Sequence, residues 1–104
     1  MGRIVIVAYR PKPGKRAELA ALVAKHVDIL RREGLVTDRP ASVMRAKDGT
    51  LVEMFEWRSP EAIQGAHTNP AVLALWAEFD AACEFVPLER LAEAKEMFAE
   101  FDAV

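Results

Sequence analysis

The apolar and polar positions of this chain change period several times, and the changes predict its elements. Arg3–Arg10 is dense in Ile and Val and reads as a buried strand, closed by the turn Pro11-Lys12-Pro13-Gly14. From Lys15 the period lengthens to that of a helix. Leu19, Leu22, Val23, His26, Val27 and Leu30 recur at i, i+3, i+4 and i+7, with Glu18 in the first turn, Arg31-Arg32 in the last and Gly34 as a stop. Alternation returns in Ala41–Lys47 and Thr50–Arg58, two strands joined at Asp48-Gly49, a strong hairpin signal.

Ser59-Pro60 and Asn69-Pro70 each put a capping side chain before a proline whose fixed φ suits a first helical turn. They predict a short helix over Pro60–Ala66 and a longer one over Pro70–Glu84, the latter with Val72, Trp76, Phe79 and Cys83 as its apolar stripe. Val86-Pro87 breaks the pattern, Leu88–Glu96 reads as one or two helical turns, and Met97–Val104 as a last strand. The order β-α-β-β-α-(α)-β is the split βαβ arrangement of an α+β fold.

Two faces can be read from the strand Thr50–Arg58. Leu51, Glu53, Phe55 and Trp57 oppose Val52, Met54, Glu56 and Arg58. A sheet apolar on both faces needs two covers, and the chain has too few helices for both, so the second cover is expected to be another subunit. Trp57 is expected on that subunit face, and Asn69 as a helix cap.

At 104 residues, with 52% hydrophobic and 29% charged positions, the chain suits one globular domain spanning 1–104. A formal charge of −2 argues against a nucleic-acid partner, and the run Ile4–Ala8 is too short for a membrane span or signal peptide. A single cysteine, Cys83, precludes an internal disulfide and fits a cytoplasmic location. One Cys and two His give no zinc spacing, and no Gly-rich phosphate loop or nucleophile elbow occurs.

The chemically versatile side chains carry two readings each. His67 follows the short helix and could act as a general base, or merely cap a helix end. Glu56 could orient His67 or accept a proton; Arg45 across the hairpin is the alternative, an ion-pair partner. His26 lies on an apolar stripe, where a histidine bonded to a carbonyl is ordinary, yet that face would also look into any cavity between helix and sheet. Trp76 could wall a site for a flat ring or simply fill the core.

The turn Pro13-Gly14-Lys15, the helix bearing Leu19 and Leu22, the hairpin, Phe55-Glu56, and then His67, Asn69-Pro70 and Trp76 together resemble the antibiotic biosynthesis monooxygenase domain over about residues 3–84. The resemblance implies a ferredoxin-like fold that dimerises sheet to sheet into a dimeric α+β barrel. It also implies oxidation of a small phenol, quinol or anthrone-like ring by O2 with no cofactor. His67 would be the base, Glu56 its partner, and Trp76, Tyr9, His26, Met54 and Phe79 the substrate-binding wall. Arg58 stands where the family commonly has an aromatic, with Trp57 displaced by one. The first strand lacks the Asn of haem-degrading relatives, which argues against haem degradation. A non-catalytic, small-ligand-binding homodimer on the same scaffold is the competing expectation.

Overall fold

A computed structural model describes residues 2–104. Its elements are β1 (Arg3–Pro11), α1 (Arg16–Arg32), β2 (Ser42–Arg45), β3 (Leu51–Trp57), α2 (Pro60–Ala66), α3 (Pro70–Ala82), β4 (Cys83–Val86) and β5 (Asp102–Ala103), with two short 3-10 turns after β4. The strands form one antiparallel sheet in the order β4-β1-β3-β2-β5. Helices α1 and α3 lie on one face. The first four strands thus have the β4-β1-β3-β2 order of a ferredoxin-like α+β fold. No helix among the described residues is long and apolar enough to cross a membrane.

The proline-marked helix starts are built as their chemistry requires. Ser59 Oγ accepts from Ala62 N at 3.1 Å, and Asn69 Oδ1 accepts from Ala71 N at 2.9 Å and Val72 N at 3.2 Å. Each cap meets donors that the first helical turn leaves without an intrahelical partner. On α1 the stripe Leu19, Leu22, Val23, His26, Val27 and Leu30 is buried against the sheet.

The hairpin is wider than its Asp-Gly signal implies. Residues 46–50 form the connection, closed by Ala46 N donating to Thr50 O at 2.8 Å, with Asp48 Oδ1 accepting from Thr50 N at 2.8 Å. Gly49 sits at φ 93°, a region where an L side chain would be strained.

The strand that completes the fold is not the one expected. Instead of running to Glu84, α3 ends at Ala82, and Cys83 turns extended at φ −152°. Cys83–Val86 then pairs with β1, while the expected last strand shrinks to Asp102–Ala103 beside β2. Cys83 lies four residues after Phe79 and so prolongs the helical stripe in sequence. Tertiary pairing, with Tyr9 opposite Phe85 and Ala8 opposite Val86, overrides that local preference.

The outer sheet face also differs from expectation, because the chain covers part of it. Leu91, buried in the C-terminal segment, packs with Ala8, Ala46, Val52 and Val86, and Leu88 and Phe101 close around them. Further along the same face Ile4 and Ile6 stay 49% and 48% exposed.

Candidate active site between the helices and the sheet

Strand parity decides what reaches the interior. The odd residues of β1 (Val5, Val7 and Tyr9) pair with Phe55, Glu53 and Leu51 of β3, and all of these face α1 and α3. Between the layers lies a cavity of about 360 Å³. Tyr9, His26, Phe55, Trp57, Trp76 and Phe85 supply its rings, Val5 and Val7 its floor, and Asp80 is its one charged lining residue among those described. A pocket so lined accepts a flat, largely apolar molecule.

Behind this wall is a buried polar cluster. Glu53 is 0% exposed, Tyr9 1% and His26 3%. The Tyr9 hydroxyl donates to Glu53 Oε1 at 2.8 Å, and His26 Nδ1 stands 2.8 Å from the same oxygen. On the other side of the imidazole, Trp76 Nε1 donates to His26 Nε2 at 3.2 Å. An indole nitrogen can only donate, so Nε2 carries the lone pair and Nδ1 the proton. The proton on Nδ1 is therefore given to Glu53, the arrangement that orients a histidine base. Glu53 Oε2 is buried with no partner among the described residues.

Burial, reinforced by the charge of Glu53 and the hydrogen bond to it, pushes the Tyr9 phenol far above its ordinary range. Tyr9 therefore serves as a donor, not as a phenolate. This has a consequence at alkaline pH, where the unfolded phenol ionises near 10.0 and the folded one does not. The folded state keeps a proton that the unfolded state loses, so stability is full below that pH and falls above it by about 1.4 kcal/mol per pH unit. Tyr9 is the only tyrosine. Phenolate absorbance is thus expected to rise in step with alkaline unfolding, and its appearance in a fully folded protein would contradict the buried hydrogen bond. Burial, with nearby Asp80, pushes the Cys83 thiol up to about 11, which makes it a poor nucleophile at neutral pH.

The expected site residues fall into two groups. Tyr9, His26, Trp76 and Phe79 meet on the interior side, with the His26 and Phe79 ring centroids 5.0 Å apart. His67 stands outside them, exposed, its ring 5.3 Å edge-on from that of Trp76. Met54 and Glu56 point to the opposite face of the sheet, opposite Ile6 and Ile4. There the Glu56 carboxylate accepts from the Thr37 hydroxyl at 2.8 Å and from Arg39 Nε at 3.1 Å, which hold it below the usual carboxylate range. Arg45, expected as its ion-pair partner, stands opposite Leu51 instead. Glu56 and His67 thus do not share a cavity. Trp57, expected on a subunit face, lines the cavity.

Glu53 is not among the residues the sequence motifs point to, though the sequence carries a signal: an acid centred in the apolar alternation Leu51, Phe55, Trp57. A buried carboxylate needs a buried donor, and His26, on the apolar stripe of α1, was the one histidine placed to supply it. Among the described residues no group of three or more His, Cys, Asp or Glu side chains could hold a metal ion.

The strand order and the helix layer over one sheet face define a ferredoxin-like α+β protein with an aromatic cavity between its layers. Among solved structures, this fold is similar to that of SnoaB, a cofactor-independent oxygenase from Streptomyces nogalater. The TM-score is 0.68 at 16% sequence identity, over 82% of this chain and 86% of that one. At this identity the likeness shows the fold. No protein-family model matches the sequence, and no curated protein matches it.

Proposed function

We propose that the protein is a cofactor-independent oxygenase acting on a small hydroxylated aromatic ring, with His26 as the base and Glu53 as its orienting partner. The observation that carries this reading is the buried Glu53–His26 pair in the wall of an aromatic cavity, with the remaining imidazole nitrogen held only by the half-buried Trp76 indole of the same wall among the described residues. In such chemistry the substrate loses a proton, and its electron-rich anion reacts with O2 itself. The protein need only bind the ring, take the proton and exclude water. Tyr9 and Glu53 hold the imidazole, Phe55 and Trp57 contact the ring, and Val5 and Val7 form a dry floor. The fold that this chain has in common with SnoaB is compatible with the reading.

The same reading includes a homodimer, with a second copy over the exposed Ile4 and Ile6. The test is oxygen uptake by the native protein on a panel of hydroquinones and anthrones, with sedimentation velocity on the same preparation. Uptake above the buffer rate with at least one panel member is expected, from a particle of two chains. Tight binding of panel members without uptake would replace the reading with that of a small-ligand-binding protein. A one-chain mass would remove the second copy.

A further inference from the structure

Resting on the proposed role of His26 as the base, we infer that Trp76 is a gate whose indole N–H must leave His26 before that base can act. The imidazole has two nitrogens, and both are occupied. Nδ1 gives its proton to Glu53 Oε1 at 2.8 Å, while Nε2 accepts from Trp76 Nε1 at 3.2 Å. The Tyr9 hydroxyl lies 3.4 Å from Nδ1, but its proton is directed to Glu53 at 2.8 Å, so it frees nothing. With the indole in place, the imidazole offers a ring in the cavity no free lone pair.

The indole is the least enclosed member of the cluster. Trp76 is half-buried whereas Tyr9, His26 and Glu53 are buried, and while it packs against both interior clusters, its outward edge meets the exposed His67 ring.

Proton uptake works the gate in one direction. In the base step the substrate's O–H bond breaks, its electron pair stays on the substrate oxygen, and the proton passes to Nε2. Nothing is oxidised or reduced at this point. Nε2 is then itself a donor, and the indole N–H facing it would be donor against donor. The gate therefore stays open until His26 gives the proton away. The titratable groups around the imidazole are Glu53 from β3, Tyr9 from β1 and, along the cavity wall, Asp80 from α3. None of them offers Nε2 an alternative hydrogen-bond donor in the resting state.

Diethyl pyrocarbonate tests this without any substrate, because it acylates an imidazole only through a free lone pair. The readout is the acylation rate of His26 and of His67, resolved by peptide mapping of the intact folded protein. In the native protein His67 is expected to react fast and His26 slowly, since His67 is exposed and His26 is buried. Trp76→Phe removes the N–H and some bulk. Replacing Trp76 with 3-benzothienylalanine removes the N–H alone and keeps the bulk. Both are expected to speed His26 acylation about tenfold, the value of one lost hydrogen bond in the closed state, and to leave His67 within about twofold. Acceleration in the phenylalanine variant only would mean that bulk, not the hydrogen bond, shields His26, and would overturn the gate. Equal rates in all three proteins would overturn it as well. Neither result touches the oxygenase reading, which stands or falls on oxygen uptake.

Discussion

His26→Gln is expected to lower oxygen uptake about 10²- to 10⁴-fold, the range attributable to a positioned proton acceptor, in a protein that still folds. Glutamine suits the test because of its hydrogen-bonding inventory. Its amide NH2 can donate to Glu53 Oε1, as His26 Nδ1 does at 2.8 Å, so the buried carboxylate keeps a donor. Its amide oxygen can accept from Trp76, but it cannot take up a proton near neutral pH. The change therefore removes basicity and leaves the hydrogen-bond pattern in place. His67→Ala is the matched control. His67 is exposed, is not among the residues lining the cavity and meets Trp76 edge-on, so its loss is expected to change uptake by less than about tenfold. A large loss in His67→Ala with a small loss in His26→Gln would reverse the assignment and return the base to the outer histidine. The comparison is steady-state uptake at saturating ring substrate, with circular dichroism confirming the fold of both variants.

How far the sequence reveals this site depends on what periodicity can and cannot carry. Period-2 alternation correctly sorts β3 into two sets, Leu51, Glu53, Phe55 and Trp57 against Val52, Met54 and Glu56. It does not say which set the helices cover, because the alternation is symmetric and both sets are largely apolar. That single undetermined bit puts Glu56 and Met54 in the expected site and Trp57 outside it, the reverse of what the structure shows. The caps fared differently because their chemistry is local: Ser59-Pro60 and Asn69-Pro70 specify their own helix starts, whatever packs elsewhere. Likewise, α1 has one apolar stripe and could bury only that face, so His26 was legible as interior. β4 was hidden for the opposite reason. Four residues bounded by a helix and a proline satisfy a helical stripe as well as a strand, and only pairing with β1 decides between them.

The second large effect concerns stability, and it bears on why the cluster exists. His26→Leu is expected to cost roughly 3–5 kcal/mol, because it takes one of the two donors found among the described residues from a carboxylate that is 0% exposed and has its other oxygen without a partner among them. The triple variant Tyr9→Phe, His26→Leu, Glu53→Leu removes every member of the cluster except Trp76, whose half-buried N–H can turn to water. Each replacement is close in volume to the side chain it removes, and the neighbours Leu51, Phe55 and Phe79 are apolar. The triple variant is therefore expected to return to within about 1 kcal/mol of the native protein, or to exceed it, since well-packed apolar residues often match a buried charge together with its hydrogen-bond partners. Urea unfolding midpoints measured at a common slope would check this. A triple variant as unstable as the single one would mean that the cluster is held for the fold and not for a base at His26. Recovery of stability with no oxygen uptake would mean the reverse. A carboxylate, an imidazole and a phenol would then be kept in an otherwise apolar interior at a cost in stability, for the sake of the proton that His26 can take.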